Sequence, residues 1–138
     1  MIMQSPTTQH AVFVEDKNNE LLSNLVSVIS SVMDAMEKAI PKNIEVVLHD
    51  LTHPDTSVIK IINGEITARK RGDSLLKAPD NNDGFAGMLL KDRDRLNPFI
   101  LSGYNCVINT GEVVKSGSST FYNDNGEPIA AFAINVLV

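Results

Sequence analysis

The sequence holds one cysteine, Cys106, in 138 residues, which excludes an internal disulfide framework and fits a reducing compartment. An excess of positive charge is missing too: Lys and Arg number 12 against 17 Asp and Glu, a net charge of -5. A surface of that sign repels phosphate backbones and anionic headgroups, so the chain by itself is a poor match for DNA. No apolar run approaches the roughly 20 residues that cross a bilayer. The opening MIMQSPTTQH has no basic segment leading into an apolar one, as a secretory signal would. Internal repeats and low-complexity tracts are absent. The expectation is a soluble cytoplasmic protein with no membrane partner.

The 43% hydrophobic content is enough for one core in a chain of this length. Residues 1–18 are polar and mixed apart from Ala11 to Val14 and read as a flexible tail; residues 19–138 read as a single domain. From Glu20 the apolar residues Leu22, Leu25, Val26, Ile29, Val32, Met33, Met36 and Ile40 recur at steps of three and four. That spacing predicts an amphipathic helix over 20–40, stopped by Pro41. Leu21 and Val28 widen the stripe. The helix is therefore expected to touch its own sheet and a second subunit, with Leu22, Leu25, Ile29, Val32 and Met36 on the homodimer seam. Packing on its own sheet alone accounts for the stripe equally well.

Past Pro41 the period switches from 3.6 to 2. Val46 and Leu48 alternate with Glu45, Val47 and His49, so His49 and Asp50 leave opposite faces of one strand. Thr52-His53-Pro54-Asp55 has the chemistry of a turn. Asn63-Gly64 suits a type I′ hairpin loop, pairing Ile62 with Glu65, Ile61 with Ile66, Lys60 with Thr67, Ile59 with Ala68 and Val58 with Arg69. In that register Ile59, Ile61, Ile66 and Ala68 share an apolar face, and Lys60, Thr67 and Arg69 share the other.

Between Gly72 and Asn97 the composition is helical and irregular. Asn81 to Gly84 marks a loop, Phe85, Met88, Leu89 and Leu96 form an apolar stripe, and the charge run Lys91 to Arg95 reads as a solvated face. Strand patterns return from Leu101, over Asn105 to Asn109, Glu112 to Tyr122 and Ile129 to Val138, with turns at Thr110-Gly111 and Asp124-Asn125-Gly126. The sum is an α+β domain: an antiparallel β-sheet of about five strands with helices on one face and an N-terminal amphipathic helix, with sheet and helices spanning 44–138.

Five pieces of this sequence, in order, carry a family resemblance: EVVLHDL at 45–51, SVIKIING at 57–64, ITARKRG at 66–72, KSGSSTFYNDNG at 115–126 and AFAIN at 131–135. Together they resemble the YheO-like PAS domain, the N-terminal sensor half of bacterial transcriptional regulators that carry a helix-turn-helix module after it. The resemblance implies a PAS-like fold, a sensing role without catalysis, and DNA contact only through a helix-turn-helix module not in this chain. Ala68 departs from the glycine expected before the arginine. Two extra residues ahead of the Ser-Thr pair in 115–120 suggest a bulge there. The chain ends at Val138 with the last strand, which fits a sensor domain excised from a longer regulator better than a free-standing relative.

Three constellations invite chemistry. His49, Asp50, His53 and Asp55 are metal-ligand types, but the two faces of the strand separate them, so neither a metal nor a cofactor is expected. Cys106 sits in an apolar strand pattern with no general base in sequence reach and reads as a small core residue; GSSTFY lacks the strand-turn-helix setting of a hydrolase serine. The third is distributed: His49, Arg69, Ser118, Ser119, Thr120 and Asn135 punctuate strands. Such side chains, gathered on the concave sheet face beneath a helix over Asp83 to Arg95, would form a small-metabolite site in which Arg69 suits a carboxylate. Cross-strand Ser, Thr and Asn pairs also stabilise sheets without any ligand. The alternatives are a dimerisation or interaction module without ligand and a small metal-dependent enzyme using His49.

Overall fold

The computed structural model describes residues 20–75 and 97–138. Helix α1, Glu20–Met36, leads into strands β1 (Ile44–Asp50) and β2 (Val58–Ile62), followed by β3 (Phe99–Val107), β4 (Val113–Tyr122) and β5 (Pro128–Leu137). All five strands join one antiparallel sheet in the order β2-β1-β5-β4-β3. The two strands with the most buried sequence, IEVVLHD and PIAAFAINVL, pair along their lengths near its centre. The α+β architecture read from the sequence is the one observed.

Helix α1 covers one face of β1 and β5. Met33 is fully buried against Val46, Leu48 and Ile62, with Val26, Ile29, Met36 and Phe132 packed around them. Leu22 is held by Ile129 and Ala130, flanked by Leu25 and Phe121. Each such side chain stabilises the fold by about 1.5–3 kcal/mol when fully buried. The helix stops at Met36, short of the expected Ile40, because the Met36 carbonyl accepts the N–H groups of both Ala39 and Ile40 in a closing turn. Asp34 near its end forms an ion pair with Lys60 of β2.

The predicted Asn63-Gly64 hairpin does not form. Asn63 does take the left-handed conformation, at φ 57°, but the chain then enters a 3-10 turn over Gly64–Ile66 instead of returning along β2. The Asn63 side-chain amide donates to the carbonyls of Pro41 and Ile44 at 3.1 and 2.7 Å, tying the end of β2 to the entry of β1. A hairpin would have spent that residue on the loop itself. The Arg69 N–H then donates to the Gly64 carbonyl at 3.0 Å. A Cβ on Gly64 would stand 2.2 Å from the Arg69 carbonyl oxygen, so only glycine permits this closure. Ala68 reaches φ 58° in the same loop, a conformation that glycine holds more easily.

Without the hairpin, the expected sharing of faces also changes. A register shift between Leu48 and His49 places Ile59 and Ile62 with α1, and Val58 and Ile61 on the other face with Val47 and Ala133. Lys60 turns to the helix side. The bulge expected in 115–120 lies instead on the facing strand: β4 pairs without interruption there with β5, while β3 shifts register between Ser102 and Tyr104, at Gly103 with φ 71°. The expected tail over 1–18, the helix expected over Asp83 to Arg95 and the charge run at 91–95 lie outside the described residues.

Candidate functional site

The sheet face away from α1 is built in rows, because directly paired residues of adjacent strands share a face. The first row runs Glu45, Asn135, Ser116, Tyr104; the second Val47, Ala133, Ser118, Leu101; the third His49, Ala131, Thr120, Phe99. Four sequence-predicted residues, His49, Ser118, Thr120 and Asn135, therefore stand on one surface. Ser119 does not: it pairs with Ile100 and Phe132 on the face that α1 covers. Strand period alone separates it from its neighbours.

The first row is a continuous polar chain. Ser116 Oγ donates to Asn135 Oδ1 at 2.6 Å, and Asn135 Nδ2 donates to Glu45 Oε1 at 2.8 Å. The other carboxylate oxygen accepts the Thr67 N–H at 3.3 Å and its hydroxyl at 2.6 Å. Glu45 is fully buried. Burial raises its pKa, opposed by the Thr67 and Asn135 hydrogen bonds and by the charge of Arg69.

The third row centres on His49, which is buried like the strand core around it. Its Nδ1 lies 2.9 Å from Ser57 Oγ, and that oxygen accepts the Leu75 N–H at 2.9 Å, leaving the hydroxyl hydrogen for the imidazole. Burial first, and the Arg69 charge second, push the His49 pKa down to about 3. The ring is therefore neutral at physiological pH and serves as a hydrogen-bonding group rather than a proton carrier. Ser57 and His49 stand at nucleophile-to-base distance, yet Ser57 is fully buried and engaged by Leu75, so the pair anchors β1 to the chain at Leu75.

Arg69 does not lie on an outer hairpin face. It is 9% exposed, donates from Nη2 to the Leu75 carbonyl at 3.4 Å, and acts electrostatically on both Glu45 and His49. The loop 64–69 carries it over the β1 end of the face. The middle row is apolar except for Ser118, which is 6% exposed and whose Oγ has no hydrogen-bond partner among the described residues.

Glu45, Ser57, Thr67 and Ser116 belong to this face and were not singled out in the sequence. Glu45 shares strand parity with His49, and Ser116 with Ser118 and Thr120, so two of them were within reach of the same period-two argument. Ser57 and Thr67 come from irregular backbone and had no such signal. Asp50, Thr52 and His53 form a separate polar group at the turn, where Asp50 Oδ2 lies 3.2 Å from His53 Nδ1 and Oδ1 accepts the Thr52 N–H at 2.9 Å. Asp55 lies in the following 3-10 turn. Among the described residues no three His, Cys, Asp or Glu side chains converge on a metal position. Cys106 is half-buried on β3 opposite Val114, not part of the core. Nor does any described helix have the length and apolarity to cross a membrane.

Comparison with known proteins bears on this face only through the fold. A family model described as the YheO-like PAS domain matches residues 16–138. Among solved structures, the PAS domain of an HTR-like protein from Haloarcula marismortui is similar at 12% identity and a TM-score of 0.45, over 87% of this chain and 100% of that one. No curated protein matches.

Proposed function

The chain belongs to the YheO-like PAS domain family, and from that premise we propose that it is the small-molecule sensor of a bacterial transcriptional regulator. In this reading a metabolite occupies the sheet face of Glu45, His49, Ser118, Thr120 and Asn135, and DNA is contacted only by a helix-turn-helix module outside this chain. The domain senses and does not catalyse, in a cytoplasmic setting. One observation carries the reading: the buried hydroxyl of Ser118 lacks a partner among the described residues, on a face where the side chains of Glu45, His49, Ser116 and Asn135 are hydrogen-bonded. A buried polar group left unsatisfied costs about 1–3 kcal/mol, and a bound molecule removes that cost. A thermal-shift screen of amino acids and other small metabolites tests it. The expected result is a concentration-dependent rise in melting temperature with one chemical class; indifference across the panel would favour an interaction module without ligand.

Signal output in this reading passes through a homodimer formed by α1. Four seam residues expected from the sequence, Leu22, Leu25, Ile29 and Met36, are wholly or partly buried against the domain's own core. Val32 is 47% exposed, together with Leu21 at 44% and Val28 at 62%. With Leu25 these fall at steps of four, three and four, the seam spacing of paired helices. From Leu21 to Met33 the helix carries no charged residue, whereas a helix facing water alone has a charged outer face. A second copy, equally uncharged, satisfies that surface. An occupant that alters how α1 rests on the sheet changes the pairing, and the attached module reads the change.

A further inference from the structure

We infer that a second copy of this chain seats on the sheet as well as on the helix: the α1 side of β4 and β3, which the protein's own helix leaves open, belongs to one homodimer interface with the exposed stripe of α1. This rests on the homodimer reading above and adds a sheet surface to it. Helix α1 lies chiefly on β1 and β5. Along β4 every second residue from Val114 to Tyr122 is buried, and the residues between them, on the α1 side, are all partly or fully exposed. On β3 the same side carries Ile100, 64% exposed, and Val107, which pairs with the equally exposed Val113. An antiparallel sheet turned to water places polar residues outward. Here Ile100, Val107, Val113 and Phe121 stand on the open side, and Lys115 is the one charge that the described residues of these two strands place there.

The helix stripe borders this surface. Asp34 leans toward β2, where it meets Lys60. At about 100° per residue, Leu21, Val28 and Val32 lie roughly 120–160° round the helix from Asp34. With Met33 buried on the sheet, they overhang the β4 side. Leu25 and Phe121 both pack on the cluster of Leu22, Ile129 and Ala130, which joins stripe and sheet into one apolar surface. Two residues along β4 from Phe121, Ser119 pairs with Ile100. A two-fold interface is self-complementary, and this surface holds both parts of such a fit: the ridge of Leu21, Val28 and Val32 beside a shelf floored by Gly117 and Ser119. A Cβ on Gly117 would meet only Ile134 and the Leu101 carbonyl, at 3.5 and 3.7 Å, so the domain's own fold does not require glycine there. Size points the same way. A stable interface uses about 20–30 residues a side, more than a 17-residue helix half seated on its own sheet supplies. A second copy, with its uncharged stretch from Leu21 to Met33, matches a shelf this poor in charge.

The test is sedimentation velocity of the whole chain over a concentration series, with circular dichroism to check the fold of each variant. Wild type is expected to dimerise. Ile100→Glu and Gly117→Lys, on the sheet, are each expected to raise the dimer dissociation constant about tenfold or more, as Val28→Glu does on the helix, because each buries a charge in an apolar contact. Glu65→Lys, exposed in the loop after β2, leaves the constant unchanged. If a charge at Ile100 unfolds the chain, Gly117→Lys still decides, since the backbone and space at Gly117 admit a side chain. Folded Ile100→Glu and Gly117→Lys proteins that dimerise like wild type, beside a monomeric Val28→Glu, would overturn the sheet surface and leave helix pairing intact. Wild type that stays monomeric across the series would sink both.

Discussion

The carboxylate of Glu45 accepts both the backbone N–H and the hydroxyl of Thr67, at 3.3 and 2.6 Å, although the two residues are 22 apart in sequence. This contact replaces the hairpin that Asn63-Gly64 would otherwise make. It folds residues 64–69 over β1 and brings Arg69 inside. Replacing Glu45 by Gln keeps the shape but presents an amide where one oxygen accepts two donors. The expected cost is about 1–3 kcal/mol, read by urea denaturation. Glu45→Ala, which also leaves Thr67 and Asn135 unsatisfied, is expected to cost more.

Stability should fall on acidification through His49. Its folded pKa is lowered from 6.5 to about 3, so the unfolded chain binds the extra proton between those values, and stability present above pH 6.5 is lost as pH falls toward 3. The loss is on the order of a few kcal/mol. Glu45 acts in the opposite sense: its raised pKa makes stability decline as pH rises above 4.5 toward the folded value. His49→Gln, neutral throughout, should flatten the acid limb in pH-dependent denaturation. An unchanged limb would place the titration elsewhere.

Two residues in the 64–69 loop should respond with opposite signs. Ala68→Gly relieves a left-handed backbone at φ 58° and is expected to stabilise by up to about 1 kcal/mol. Gly64→Ala drives a methyl to 2.2 Å from the Arg69 carbonyl and is expected to destabilise by at least 1–3 kcal/mol. Thermal melts of both variants check this directly.

On α1, Val28→Glu places a charge on the most exposed apolar position of the helix. The expected outcome by light scattering is a shift from dimer to monomer with the monomer fold retained. A dimer that survives would move the interface off this helix.

The sequence made strand faces legible wherever pairing was regular. Val46 and Leu48 against Glu45, Val47 and His49 separated correctly, and the same parity places Ser118, Thr120 and Asn135 together. It misled where backbone departs from period two. Asn63-Gly64 matches a hairpin locally, yet the cross-chain demands of Pro41, Ile44 and Glu45 outweigh that preference. Thr67 and Ser57 act from such irregular segments, which have no periodicity to read. Ser119 was grouped with Ser118 by adjacency, although adjacent strand residues face opposite ways.

The central claim is that the Ser118 face holds the sensed molecule. A crystal structure of the chain with the tightest-binding compound from the metabolite screen tests it most directly. The account predicts that compound on the sheet face of His49, Ser118, Thr120 and Asn135, with a polar atom within about 3.2 Å of Ser118 Oγ. A compound bound on any other surface, with Ser118 satisfied by the protein's own groups, would contradict it.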